Sequence, residues 1–364
     1  QEREHEQLPG MVVADEGPVN AEQEPDREDI GCREMGEADV SHQEVLAGLA
    51  LQGRQRLKVE WDFGEAARVS SESIREQFRR RLSRPGSLAR SEGDTEAALR
   101  QAAKTLEAVY EVPFQAHACM EPMNCTAAIG PDGCDVWVPT QNQTRTQQVA
   151  MRISGLPAEQ VRVHTTYLGG GFGRRGETDF VSDAVELAKR MGKPVQVVWT
   201  REDDIRHDFY RPATYNRLRG GLDAEGLPIA WEHHIVGPSI FARVFPGAIR
   251  NGIDRMSVEG ASNLPYGLPH LRVEYSQADT HVPVGFWRSV GSSQNAYITE
   301  CFFDELARLG GQDPYQLRLR LLADAPRHQG VLRLAAEKAG WGQTRSDGRH
   351  QGIAVAESFG SYVA

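Results

Sequence analysis

The sequence has no apolar run near the ~20 residues that a membrane-spanning helix requires. It is poor in cysteine. Five occur in 364 residues (Cys32, Cys119, Cys125, Cys134 and Cys301), and no two form a CxxC pair. That spacing excludes a zinc knuckle, a disulfide framework and an iron–sulfur cluster held by these residues. Basic charge is also in deficit: 41 Lys and Arg against 51 Asp and Glu leave a net charge of −10. A non-specific nucleic-acid binder needs the opposite balance. The short run Arg79-Arg80-Arg81 sits on a predicted helix among acidic neighbours and reads as a solvated face. Residues 1–40 contain no basic segment leading into an apolar one, so no signal peptide is recognised there. No internal repeat and no Gly-Lys-Ser/Thr phosphate loop is present.

At 40% hydrophobic and 25% charged residues, the length suffices for one large or two medium domains with real cores. Residues 1–42 are acidic and polar without a clear period, which predicts a disordered lead-in. The patterns sharpen afterwards. Helices are expected over 42–51, 70–82, 94–106, 144–153, 180–191 and 296–309, with another after Asp313-Pro314. Strands are expected over 56–61, 108–112, 135–138, 161–165, 195–199 and 271–277. Residues 214–222 and 229–235 read as a strand pair. The Gly-, Pro- and Asn-rich stretch 238–268 reads as a long irregular loop, and 353–363 as a strand.

The richest segment is Thr165-Thr166-Tyr167-Leu168-Gly169-Gly170-Gly171-Phe172-Gly173-Arg174-Arg175. It lies between a predicted strand and a predicted helix. Glycines let a backbone approach a ligand without a side chain intervening, and a loop opening into a helix presents unpaired N–H groups. A bare glycine turn is the competing reading. Three further segments bear on the choice: His117-Ala118-Cys119-Met120-Glu121-Pro122-Met123-Asn124, then Pro139-Thr140-Gln141-Asn142-Gln143-Thr144, then Pro283-Val284-Gly285-Phe286-Trp287-Arg288-Ser289-Val290-Gly291-Ser292-Ser293-Gln294.

Together and in this order, the four segments resemble the molybdenum-cofactor-binding large subunit of the xanthine dehydrogenase/aldehyde oxidase family. Within it they are most similar to the branch that contains the isoquinoline 1-oxidoreductase beta subunit. The resemblance covers residues 45–364 or so. It implies an α+β fold of mixed sheets with packed helices, in which 43–112 is a partial α/β hammerhead-like segment and 113–364 a molybdopterin-binding domain lacking its C-terminal part. It implies a molybdenum–molybdopterin cofactor, as a dinucleotide, with the metal held through the pterin and by no side chain. Carried onto this sequence, Gln141 is the amide near the oxo face of the metal and the one catalytic candidate. Gly170, Gly171, Phe172, Gly173 and Arg174 form one cofactor wall, and Phe286, Trp287 and Arg288 the other. Plainer readings stand beside these: Gln141 as a strand-end polar residue, Arg288 as a structural arginine, Arg174 and Arg175 paired with Glu177 and Asp179 as the equal alternative to facing an anionic cofactor tail, His117 as a satisfied core histidine and Glu121 as structural.

The implied chemistry adds water-derived oxygen to an electron-poor carbon of an aldehyde or N-heteroaromatic substrate, with a glutamate as base. Electrons then pass to a small iron–sulfur subunit. The family's base lies in a Gly-x-Gly-Glu-type segment that is not found here, and Glu357 stands in a different context. Gly176, with Glu177 beside it, occupies the position of a second glutamate of xanthine-oxidising members, which speaks against a purine substrate. The competing expectation is therefore a non-catalytic fragment or decayed copy, acting at most in cofactor binding or assembly. The resemblance leaves the compartment open between bacterial cytoplasm and periplasm. A third reading takes Gly171 to Gly176 as a GxGxxG dinucleotide loop with Glu202 as ribose acid, but it explains none of the other segments.

Overall fold

The computed structural model describes residues 11–14, 48–343 and 348–364. These fall into two compact units, each assembled from two chain segments. Unit 1 takes residues 1–62 and 116–209, and unit 2 takes 63–115 and 210–364.

Unit 1 is built on a five-stranded mixed sheet. Its order is β1 (Met11–Ala14), β7 (Val195–Trp199), β4 (Asn124–Gly130), β5 (Gly133–Val138) and β6 (Val161–Thr165). β4 and β5 form a tight antiparallel hairpin. β5 and β6 run parallel, with Val138 opposite Thr165. The crossover that parallel strands require is α4 (Gln143–Ser154). Asn142 caps it by accepting the Arg145 N–H at 3.1 Å. α5 (Asp179–Met191) leads from β6 to β7 and stops at Gly192, whose left-handed conformation caps the helix. Phe180, Val181, Ala184, Val185 and Ala188 bury one face of α5 against Val136, Val195 and Val197 of the sheet.

Unit 2 carries a second five-stranded mixed sheet. Its order is β2 (Ser87–Glu92), β10 (His270–Gln277), β9 (Pro228–Gly237), β8 (Thr214–Leu222) and β3 (Lys104–Val112). α9 (Ser292–Leu309) covers one face, where the rings of Phe302 and Trp231 meet edge to face at 5.0 Å. Truncating such a ring costs about 3–5 kcal/mol. α2 (Ser71–Leu82) buries Phe78 and Leu82 with Val236 on the other face. Its start is fixed by a reciprocal cap between Ser70 and Ser73. The mixed α/β architecture is thus the one expected.

Several local expectations give way. The alternating run 56–61 forms no strand; Leu57 and Trp61 are 68% and 58% exposed, so the pattern finds no partner face. The helix expected over 94–106 ends at Gln101 as α3 (Thr95–Gln101), because 104–112 pairs with 222–214 along its whole length. The run 353–363 turns back on itself as the hairpin β11 (Ala356–Ser358) and β12 (Ser361–Val363). Of the helix expected over 42–51, residues 48–55 (α1) are helical and 42–47 lie outside the described residues. Of the lead-in 1–42, Met11–Ala14 pairs with β7 as an edge strand; the rest lies outside the described residues. The two units run across the expected boundary between 43–112 and 113–364. One break does fall near residue 115, but the chain re-enters at 210 the unit begun at 63.

Candidate functional site

In unit 1 the site grows from the parallel pair. β5 and β6 end on the same edge of the sheet, so the chain after Val138 and the chain after Thr165 leave side by side. Ligand sites in such sheets form outside the carboxyl ends of the strands. Gln141 follows β5 and the glycine loop follows β6. The structure joins them: the backbone N–H of Gln141 donates to the Arg175 carbonyl at 3.0 Å, and Gln141 Oε1 accepts the Gly173 N–H at 3.1 Å. Among the described residues the Gln141 Nε2 donor has no protein partner.

The glycines are required here by space. A Cβ at Gly171 would fall 2.6 Å from Gln141 Oε1. Gly170 has φ +98°, which a side chain rarely tolerates. The loop carbonyls point inward. Gly169 O accepts the Glu121 N–H at 3.0 Å and Gly171 O the Arg174 N–H at 2.8 Å, while Gly170 O accepts Arg175 Nε at 2.7 Å. Among the described residues the N–H groups of Gly170, Gly171 and Phe172 have no protein acceptor. Three backbone donors and one amide donor, with no Cβ over Gly170 or Gly171, fit the polar, electron-rich edge of a bound group. Phe172 holds φ +55° and is 42% exposed, its ring lying over Gly170. Tyr167, Leu168 and Met120 are exposed on the neighbouring backbone.

Behind the loop lie two buried arginines. Of the readings open for Arg174, the structure displays the ion pair with Asp179. Its guanidinium is 1% exposed and bonds Asp179 at 2.8 and 2.6 Å. Its Nε lies 3.1 Å from Asp208 Oδ1, an ion pair off the line of a hydrogen bond. The rings of Phe180, Trp199 and Phe209 stand 5.4–5.8 Å around it. Burial works against its charge, but Asp179 and Asp208 outweigh that and raise its pKa. Arg175 reaches the other way, to Glu121 Oε2 at 2.8 Å. Burial lowers its pKa, with Glu121 opposing. His117 shares Asp208 at 3.0 Å and is the satisfied core histidine of the plainer reading. Glu121 is a tether: it also accepts the Gly169 N–H and the Asn124 amide, each at 2.8 Å. Arg175 finds in Glu121 a partner that was not weighed for it, and Asp208 and Cys119, whose thiol faces Gly171 O at 3.5 Å, join the site without having been weighed at all. Their only sequence signal is their place inside the four family-like segments, and Asp208 lacks even that.

Phe286, Trp287 and Arg288 belong to unit 2. The loop start is bolted by Tyr210, which donates to Pro283 O at 3.0 Å and accepts the Gly285 N–H at 3.1 Å. Phe286 packs against the paired rings of Phe241 and Phe245, and Arg211 lies 5.8 Å over the Trp287 ring. Ser289 and Val290 both hold positive φ, +61° and +47°, before α9 begins. Arg288 is exposed and, among the described residues, without an ion pair. Gln294 is buried with its Oε1 unpartnered. Glu357 lies 3.6 Å from His328 on β11. Among the described residues no group of three or more His, Cys, Asp or Glu is placed to hold a metal ion, and no helix is long and apolar enough to cross a membrane.

Residues 80–322 match the family described as molybdopterin cofactor-binding domain. The chain belongs to that family. It is 30% identical over 264 residues to the beta subunit of isoquinoline 1-oxidoreductase from Brevundimonas diminuta, a match covering 70% of this chain and 33% of that protein. It is 29% identical over 268 residues to the molybdenum-binding subunit PaoC of an aldehyde oxidoreductase from Escherichia coli, covering 69% of this chain and 35% of that one. Among solved structures, quinoline 2-oxidoreductase from Pseudomonas putida 86 shares the fold with a TM-score of 0.63 at 16% identity, over 81% of this chain and 40% of that one. Aldehyde oxidoreductase from Desulfovibrio gigas does so with a TM-score of 0.56 at 21% identity, over 72% and 30%. The chain spans about a third of the length of its isoquinoline-oxidoreductase relative. The glycine loop lies within the matched residues.

Proposed function

We propose that the chain is the cofactor-holding part of the large subunit of a molybdenum hydroxylase that oxidises an aldehyde or an N-heteroaromatic compound. The observation that carries this is the set of unpaired N–H groups on Gly170, Gly171 and Phe172 beside the free Gln141 amide, in a chain of the molybdopterin cofactor-binding family. The bound molybdenum cofactor supplies the redox step and the activation of water. The protein's part is to hold and orient it. The loop N–H groups and Gln141 Nε2 donate to it with no side chain between. The bonds to Gln141, Arg174 and Arg175 fix those donors in advance, which spares reorganisation when the cofactor binds. Arg288, an exposed guanidinium on its own unit, is suited to the phosphate of a pterin in dinucleotide form. No proton step is placed on Glu357, whose carboxylate faces His328.

A separate small iron–sulfur subunit takes the electrons in this reading. Two relatives are themselves named as single subunits of their enzymes, which supports an assembly of several chains. The test is production of the chain in a host that makes molybdopterin, followed by assay of bound pterin and molybdenum and of dye reduction dependent on an aldehyde or N-heterocycle. Bound molybdopterin is the expected result. Purified protein free of it would sink the proposal.

A further inference from the structure

Arg175 shows nothing to the exposed face of the glycine loop, yet every segment of the unit 1 site ends on it. Its Nε donates to Gly170 O at 2.7 Å. Its Nη2 donates to Glu121 O and to Glu121 Oε2, each at 2.8 Å. Its own carbonyl accepts the Gln141 N–H at 3.0 Å and the Thr140 hydroxyl at 3.3 Å. The side chain is wholly buried. One residue thus binds the chain after β5, the chain after β6 and the segment before β4.

We infer that Arg175 is a positioning residue that sets the Gln141 amide and the Gly170–Phe172 N–H groups in a fixed register, acting through them and touching neither cofactor nor substrate. The chemistry calls for arginine. A planar fork with five donors reaches Gly170 O on one side and Glu121 on the other at once. A lysine ammonium is a point that serves one side or the other. Arg174 supplies the contrast. It is as deeply buried and as firmly ion-paired, but its side chain hydrogen-bonds Asp179, forms an ion pair with Asp208 and reaches none of the loop carbonyls. Arg174 holds the unit together and Arg175 holds the site in shape. This inference rests on the proposed function for the identity of the ligand, and on the geometry alone for the register.

The experiment compares the wild-type chain with Arg175→Lys and Arg174→Lys, all made in a molybdopterin-producing host. Two quantities are read: amide hydrogen exchange residue by residue, and pterin retained per chain from its fluorescence after oxidation. Arg175→Lys is expected to speed exchange at Gln141, Gly169 and Gly173 by about tenfold, the cost of one lost or bent hydrogen bond, while α5 and β7 amides stay as they were. Retained pterin falls with it. Arg174→Lys is expected to speed exchange across α5 and β7 alike. A uniform change across the unit in Arg175→Lys, or no change at the three loop amides, overturns the inference. So does undiminished pterin in that variant when the wild type holds pterin. If the exchange pattern appears but the wild type holds none, the proposed function fails and the positioning role stands. Should Arg175→Lys not fold, Glu121→Gln keeps an acceptor for the Gly169 N–H while removing the charge that faces Arg175, and the same local pattern decides.

Discussion

Gly171→Ala is a narrow test of how the site is built. The new Cβ would fall 2.6 Å from Gln141 Oε1 and 2.8 Å from its Cδ. Relief requires the Gln141 amide to move by several tenths of an ångström, which breaks the 3.1 Å bond from the Gly173 N–H. Forcing a side chain off its rotamer costs about 0.5–1.5 kcal/mol, and a net hydrogen bond about 0.5–1.5 kcal/mol. Gln141 is exposed, so water replaces part of the bond and a loss near 1–2 kcal/mol is expected. For a unit of this size that lowers the melting temperature by about 2–4 °C per kcal/mol. The assay is thermal unfolding of Gly171→Ala, Gln141→Ala and the double variant. Truncating Gln141 to alanine removes the three atoms nearest to the new Cβ. The double variant should therefore melt at or above Gly171→Ala, with a coupling of about 0.5–1.5 kcal/mol. Strict additivity would refute the contact between the two residues.

Two further outcomes follow from charge. Burial, with repulsion from Asp179 adding to it, pushes the Asp183 carboxyl up to about 7. In the unfolded chain it titrates near ~3.9. Between these values the folded state keeps a proton that the unfolded chain has released, so this contribution to stability is full below pH ~4 and lost as pH rises through ~7. Asp183→Asn should flatten that slope in urea unfolding and stabilise the protein at pH 8 by about 2–3 kcal/mol; an unaltered slope would count against it. Arg288→Ala should leave the unfolding free energy within about 0.5 kcal/mol yet lower the pterin retained. Loss of stability with pterin unchanged would refute the phosphate role proposed for Arg288.

The glycine loop was legible because its flanks were: β6, α5 and β7 each carry a period or a β-branched run that survives folding. Gln141 was legible only through its neighbours in the segment from Pro139 to Thr144. Arg174 and Arg175 were not, since adjacent identical residues turn opposite ways according to partners far along the chain: Asp208 for one, and Glu121, 54 residues away, for the other. β2 went unforeseen because Ser-Leu-Ala-Arg-Ser-Glu has no β-branched residue, and pairing with β10 rather than propensity makes it a strand. The exposed run 56–61 shows the reverse, alternation without a sheet to receive it.

The interleaving of the two units sets a timetable for synthesis. β3 is complete at Val112, but the strand it pairs with, β8, begins at Thr214. At about 5–20 residues per second, a ribosome takes some ~5–20 s to deliver it. β2 waits longer still, because its partner β10 starts at His270. Throughout that interval the segment of unit 1 from 116 to 209 emerges and closes its own core, while two unpaired strand edges stay open on the nascent chain. Open edges recruit other chains. Chain order alone thus keeps β2 and β3 without their partners until the second half of their sheet arrives.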